Sequence, residues 1–163
     1  MFNAGMKKTS LQTIPYMMNE MTRMQSLGTL VGIKANSEQT GGAFNLFDVL
    51  LPPGYETPLH IHYSEDVAIN VLEGVLDVFW GEEKRAAMTG SFFFQPRGTP
   101  HGFRVAGSKQ ARILYMTFPA GFDDFVIERS KPVTNFEAII SETHYKIEVL
   151  GSLPALEKGE TDE

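Results

Sequence analysis

Short apolar runs alternate with turn-forming positions through the middle of the chain. Each run is rich in Val, Ile, Leu, Phe or Tyr, and each is bounded by a turn signal such as Pro52-Pro53-Gly54 or Glu73-Gly74. Apolar runs of this length between Gly and Pro positions are typical of β-strands. Strands at such short spacing indicate a sandwich, jelly roll or barrel, so we predict an all-β fold. The predicted strands cover residues 28–35, 43–51, 67–72, 75–80, 91–95, 101–106 and 111–118.

The last quarter of the chain has a different pattern, with apolar residues at helical spacing. Two groups follow this spacing: Phe122, Phe125 and Val126, then Phe136, Ile139 and Ile140. Residues three and four apart share one face of a helix, so we predict two short C-terminal helices. The chain is then one domain with four parts. These are a Met-rich segment (1–27), a barrel (28–120), a helical extension (121–155) and a charged tail (156–163). The Met-rich segment is expected to form a strand, a short helix or a dimer contact.

Composition and charge narrow the class of protein. The chain has 163 residues, 42% of them hydrophobic, which suffices for one core. Asp and Glu number 20 against 14 Lys and Arg without any basic stretch, so we expect no nucleic-acid partner. No run approaches the roughly 20 apolar residues of a membrane span, and no apolar signal segment follows Lys7 and Lys8, so we expect a cytoplasmic protein that does not contact a membrane.

The chain contains no Cys and four His, which restricts the metal chemistry to nitrogen and oxygen ligands. His60 and His62 are separated by one residue, so on an extended segment both imidazoles project from the same face. His101 follows a tight turn. A single His is more often a core or surface residue than a ligand, but three in this pattern favour a metal site. His144 lies in a predicted helix and is expected to be a surface or helix-packing residue.

The spacing of these residues resembles two motifs of the cupins, specifically the small single-domain cupins described as quercetin-dioxygenase-like. The first motif, G-x5-H-x-H-x(3,4)-E-x6-G, is matched at Gly54, His60, His62 and Gly74, and the second, G-x5-P-x-G-x2-H-x3-N, at Gly90, Pro96, Gly98 and His101. The resemblance implies a double-stranded β-helix, which is a jelly-roll barrel. It also implies a divalent transition metal, such as Fe, Mn, Ni, Cu or Zn, held inside the barrel by the three His.

One ligand of the family pattern is missing, because the position of its Glu is occupied by Val67. Glu65 and Asp66 precede this position and are the alternative carboxylate ligands. Both are disfavoured, since a shift of one residue sends Asp66 to the opposite face of a strand and Glu65 belongs to the preceding turn. Without a carboxylate the divalent ion keeps its full charge, so the site should favour an anionic chelating ligand such as an enolate or a carboxylate.

The resemblance leaves three functions open for this barrel. These are a metal-dependent dioxygenase of an enolic or phenolic substrate, a non-catalytic small-molecule-binding or sensing protein, and a sugar or keto-acid isomerase. No catalytic residue is identified. Strand alternation places four residues on the wall of the small-molecule pocket: Val67, Ile69, Phe103 and Tyr115. Since cupins commonly dimerise through sheet faces and N-terminal strands, we expect a homodimer.

Overall fold

Strands form most of the chain that the structure, a computed structural model, describes, which is residues 23–130 and 145–155. The elements in chain order are β1 (Arg23–Ser26), β2 (Thr29–Ala35), β3 (Asn45–Leu51), β4 (Leu59–His62), β5 (Asp66–Glu73), β6 (Val75–Trp80), β7 (Glu83–Met88), β8 (Phe92–Gln95), β9 (His101–Val105), β10 (Ala111–Phe118), α1 (Phe122–Arg129) and β11 (Ile147–Gly151).

The strands form two antiparallel sheets. The first has the order β1-β2-β3-β10-β5-β8, and the second has the order β11-β4-β9-β6-β7. Successive strands such as β4, β5 and β6 belong to alternate sheets, so the chain crosses from one sheet to the other several times. This is the connectivity of a jelly roll, and it confirms the all-β barrel predicted from the sequence.

The hydrophobic core lies between the inner faces of the two sheets. Phe47 and Ile113 from the first sheet belong to the same buried cluster as Leu76 and Val78 from the second. Each of these side chains is almost fully buried, and burial of this extent stabilises the fold by about 1.5–3 kcal/mol for each side chain. Phe47 and Ile113 also line the cavity described below, so the candidate site is an opening within the core itself.

The connection between β5 and β6 depends on a glycine. Gly74 has a φ of +85°, and a Cβ built on it would lie 2.9 Å from the Cα of Ala111. A larger residue would meet both a strained backbone and a fixed neighbouring strand. Gly74 therefore allows the chain to pass tightly from one sheet to the other.

All seven predicted strands are present, with bounds that differ from the predicted runs by up to two residues. The short strand β4 carries His60 and His62 on the extended segment that their spacing suggested. Strand β1 falls in the predicted N-terminal segment, of which residues 1–22 lie outside the described part of the chain. Strand β7 was not predicted.

The C-terminal extension is only partly helical. Helix α1 lies where the first helical pattern predicted it, whereas the second pattern, the residues around His144 and the tail 156–163 lie outside the described residues. The extension was predicted to be helical through residue 155, but Ile147–Gly151 forms the strand β11 and pairs with β4. In the described part of the chain, no helix has the length and apolar character needed to cross a membrane.

Candidate metal centre

Three His side chains meet inside the barrel. His60 and His62 alternate on β4, and His101 begins β9, the neighbouring strand of the same sheet. His60 is the direct cross-strand partner of His101, so their side chains project from the same face. One ligand nitrogen from each of the three His lies within 4.8 Å of the others. The three histidines predicted from the sequence therefore form one cluster.

The Nδ1 atom of each imidazole is occupied by an oxygen acceptor. Nδ1–H of His60 donates to the carbonyl oxygen of Pro58 at 2.8 Å, and Nδ1–H of His101 donates to that of Thr99 at 2.8 Å. Nδ1–H of His62 donates to the Glu65 carboxylate at 2.6 Å. Because an oxygen acceptor holds the ring proton on Nδ1, the Nε2 atom of each neutral ring carries a lone pair.

The ring nitrogens of the three His converge. Nε2 of His60 lies 3.1 Å from Nε2 of His62, and in two neutral rings with their protons on Nδ1 neither of these atoms has a proton to donate. Two facing lone pairs repel each other unless a cation lies between them. Nitrogen ligands lie about 2.0–2.1 Å from a zinc-type ion, which separates two such nitrogens by roughly 3 Å. The donor set therefore fits a divalent transition metal.

Burial favours the neutral form of His60 and His101, which is the form that a metal requires. It lowers the pKa of His60 to about 3, with further lowering by the neighbouring His101 and His62. Burial likewise lowers the pKa of His101 to about 4, against a smaller opposing effect of its hydrogen bond to Thr99. Neutral imidazole is the ligating form, so these two ligands need not lose a proton near neutral pH.

The two carboxylates that precede Val67 have other partners. Glu65 is buried and contacts the Nδ1 side of His62, opposite the Nε2 atom that joins the cluster. Asp66 forms a bidentate ion pair with Arg97, with both distances 3.0 Å. Neither carboxylate contributes an atom to the three-nitrogen group. Glu65 is placed to orient His62 and to strengthen it as a ligand, the role that outer carboxylates have in many metal sites.

The cluster opens into a cavity of about 240 Å³, whose wall is mostly apolar. Its polar residues include Tyr55, Gln95 and Tyr115. Burial raises the pKa of Tyr55 to about 12, and burial together with the nearby Glu65 charge raises the pKa of Tyr115. Both phenols therefore stay protonated at neutral pH. The cavity has room for a small organic molecule with a largely apolar body.

Two of the four predicted wall residues line this cavity and two do not. Phe103 and Tyr115 belong to the wall. Val67 and Ile69 are completely buried and are not among the residues that line the cavity, so their place in the pocket stays a prediction. Strand alternation identified the interior face correctly, since Ile69 pairs with Tyr115. Alternation gives the face of the sheet, however, and does not say which of the inward side chains border the cavity.

Several wall residues were not predicted from the sequence. Gln95 ends a run of three Phe residues, and a polar residue at an inward position of an apolar strand was the available signal. The wall also includes Phe122 and Phe125 of α1, and Val149 of β11. No local pattern shows that these C-terminal elements fold back over the site.

Helix α1 is attached to the barrel by a buried amide. The Oδ1 atom of Asn45 accepts hydrogen bonds from the backbone N–H groups of Gly121, Phe122 and Asp123 at 2.9, 3.0 and 3.2 Å. These are N–H groups at the start of the helix, which the helix itself cannot satisfy. The ring of Phe122 lies 5.5 Å from that of His62, so Asn45 fixes one wall of the candidate site.

Comparison with protein families and curated proteins supports a common origin for the barrel. The profile of a family described as Cupin domain matches residues 47–117, which include all three clustered His. The chain is also similar to the quercetin 2,3-dioxygenase of Bacillus subtilis (strain 168), with 29% identity over 83 residues. The aligned segment covers 51% of this chain and 25% of that protein, so the chain spans about a quarter of its relative's length.

Solved structures share the fold. KdgF from Halomonas sp. matches with a TM-score of 0.59 and 21% identity, covering 67% of this chain and 97% of that one. The polyketide cyclase RemF from Streptomyces resistomycificus matches with a TM-score of 0.58 and 21% identity, covering 66% and 80%. A predicted oxalate decarboxylase from Thermotoga maritima matches with a TM-score of 0.56 and 20% identity, covering 62% and 95%. Such distant matches establish the architecture alone, and one fold supports many activities.

Proposed function

Given that the chain belongs to the cupin superfamily, we propose that it binds a divalent transition metal through His60, His62 and His101 and acts as a dioxygenase of an enolic or phenolic small molecule. The observation that carries this proposal is the convergence of one ring nitrogen from each of three His, each of which has an oxygen acceptor at Nδ1. The similarity to a quercetin 2,3-dioxygenase supports the choice of reaction.

The charges at the site suit an anionic ligand. A bound divalent ion supplies Lewis acidity, which favours the deprotonated form of an enol or phenol, and a redox-active ion supplies a route for reaction with O2. Val67 adds no charge beside the three imidazoles, and the Glu65 carboxylate lies on the Nδ1 side of His62. The positive charge that a divalent ion would bring to the cluster would therefore be balanced by the ligand itself, which an enolate or phenolate can do.

The apolar wall completes this arrangement. Phe103, Phe122 and Ile113 surround the cavity with hydrocarbon surface. Such walls exclude water, which strengthens the attraction between the cation and a bound anion. They also select a ligand with a flat or apolar body and few polar atoms.

A non-catalytic ligand-binding protein is the second candidate, and Val67 is the observation that favours it. A barrel that keeps three His but lacks the family's Glu can still bind a ligand through a metal ion. That ion would have one protein ligand fewer than the family pattern provides. The two functions predict the same binding site and differ only in turnover.

Metal content is the first test. Wild-type protein should bind close to one ion per chain from at least one of Fe, Mn, Ni, Cu or Zn, measured by elemental analysis after removal of excess metal. His101→Ala should lose this ion, whereas the control His144→Ala should retain it. Negligible metal in the wild type after all five supplements would rule out the proposal.

Oxygen consumption is the second test. Metal-loaded protein is mixed with flavonols, β-diketones and catechols, and O2 uptake and thermal unfolding are followed for each compound. Uptake that needs both metal and substrate supports the dioxygenase. A ligand that raises the unfolding temperature without O2 uptake supports the binding protein instead.

A further inference from the structure

Gln95 is a buried polar residue whose side-chain N–H group lacks a hydrogen-bond partner in the described part of the chain. It is the last residue of β8, is 1% exposed and belongs to the wall of the cavity. Among the described residues, its Nε2 atom has no hydrogen-bond partner although it is buried. Buried amide groups are nearly always paired in native proteins, because an unpaired one loses its hydrogen bonds to water without replacement. This exception therefore requires an explanation.

The position of Gln95 in the sheet indicates what the explanation is. Gln95 is the direct cross-strand partner of Val67, and Val67 in turn pairs with Thr117. Directly paired residues present their side chains on the same face at close distance. Position 67 is where the cupin motif places its carboxylate ligand. Consequently, the polar group at this level of the barrel comes from β8 in this chain rather than from β5.

A ligand would satisfy the amide. The terminal torsion of a Gln side chain is soft, so the carboxamide can turn an N–H group toward the cavity at little cost. Two polar groups near this position are engaged elsewhere: the carboxylate of Glu65 accepts from His62, and the hydroxyl of Thr117 donates to Asn45. Since Gln95 belongs to the cavity wall, a bound molecule is placed to supply the acceptor that its Nε2 atom lacks.

We propose that Gln95 is a ligand-positioning residue whose N–H donates to an oxygen of the bound anion, and that this site therefore selects planar enolates or phenolates with an oxygen close to the metal. The inference rests on the proposed function for the identity of the anion. A neutral amide donor holds the oxygen without adding charge, so it distinguishes oxygen ligands from apolar molecules of the same shape.

The test uses Gln95→Met, which preserves the length of the side chain and removes the amide, with Gln25→Met as the matched control on the exposed side of β1. The probe is 3-hydroxyflavone, whose fluorescence reports binding. Each protein is titrated in metal-loaded and metal-free form, and thermal unfolding of the ligand-free proteins is measured in parallel.

We expect Gln95→Met to raise the Kd for the probe on the order of 10-fold or more, since it removes a hydrogen bond to an anionic oxygen, while Gln25→Met leaves it unchanged. Ligand-free Gln95→Met should unfold at the same temperature as the wild type or higher, because it replaces an unpaired amide by an apolar group. A structural role for Gln95 would give the opposite result on unfolding.

The outcomes separate this inference from the proposed function. Equal Kd values for wild type and Gln95→Met, or a lower unfolding temperature for ligand-free Gln95→Met, overturn the role of Gln95. Probe binding that depends on Gln95 in protein that takes up no metal overturns the dioxygenase and supports the role of Gln95. Absence of probe binding by both forms of the wild type overturns both.

Discussion

Glu65 offers a sensitive test of whether the three His form a metal site. The Glu65 carboxylate accepts a 2.6 Å hydrogen bond from His62, and both side chains are buried. A buried hydrogen bond to a charged group contributes about 1.5–3 kcal/mol. Removal of an outer partner of this kind lowers metal affinity by about 10- to 100-fold, or about 1.4–2.7 kcal/mol. The two ranges agree, so we expect most of the free energy of this hydrogen bond to appear as metal affinity.

Two substitutions separate the charge of Glu65 from its hydrogen bond. Glu65→Gln keeps an oxygen acceptor for Nδ1 of His62 and removes the negative charge, so it should weaken metal binding about 10-fold with little loss of stability. Glu65→Ala also leaves the His62 N–H unpaired, so it should weaken metal binding further and cost about 1–3 kcal/mol in the free energy of unfolding.

The assay is a competition titration of Zn²⁺ or Co²⁺ against a chromophoric chelator, with urea unfolding of the metal-free proteins alongside. Asp66→Asn is the matched control, since its carboxylate is the next residue but pairs with Arg97 outside the cluster. Its metal affinity should equal that of the wild type. If Glu65→Gln binds metal as tightly as the wild type does, the assignment of Glu65 to the metal site is wrong.

Three further predictions concern the barrel around the site. Val67→Glu places a carboxylate in a completely buried position, so it should lower the unfolding temperature of the metal-free protein. Added metal should raise the unfolding temperature of this variant more than that of the wild type, and equal shifts in both proteins would contradict this. Asn45→Ala leaves three backbone N–H groups of α1 without an acceptor, so urea unfolding should show a loss of about 2–4 kcal/mol, and a loss below about 1 kcal/mol would mean that α1 does not depend on this contact. Burial alone would raise the pKa of Asp48, but hydrogen bonds from Arg112 and Arg23 hold it below the ordinary 3.8. The loss of stability caused by Asp48→Asn should therefore be constant above about pH 4 and should disappear as the pH falls through the lowered pKa. Urea unfolding of both proteins from neutral to acid pH measures this difference.

The strands were predictable where burial imposes an apolar pattern. β3 and β10 are neighbours in the middle of the first sheet and carry long apolar runs, so their sequences reveal them. β7 lies at the edge of the second sheet, and Ala87 is its one buried residue. Its charged sequence therefore has no hydrophobic period to detect. β11 was hidden for another reason, because its strand conformation depends on pairing with the distant β4.

The residues of the candidate site were likewise predictable where a local pattern fixes them, and not where a tertiary contact does. His60 and His62 were predictable because strand alternation fixes their common face, and the spacing of His101 matched a second motif. The partner of Glu65 could not be predicted, since the direction of a turn side chain depends on the fold around it. Likewise, the wall formed by α1 exists because of hydrogen bonds to Asn45, which lies 76 positions before Gly121. The homodimer and the cytoplasmic location stay predictions.

Several polar groups of the cavity indicate the kind of ligand that it would bind. The three imidazoles present lone pairs, which attract a cation. Tyr55 and Tyr115 keep their protons because burial raises the pKa of each, so they present O–H donors, and Gln95 adds an unpaired N–H. The Glu65 carboxylate is turned away toward the Nδ1 atom of His62. The wall residue Glu56 pairs its carboxylate with Arg104. A cavity that combines a candidate cation site with hydrogen-bond donors, and in which both of these carboxylates have partners, is complementary to the oxyanion that we propose as the ligand.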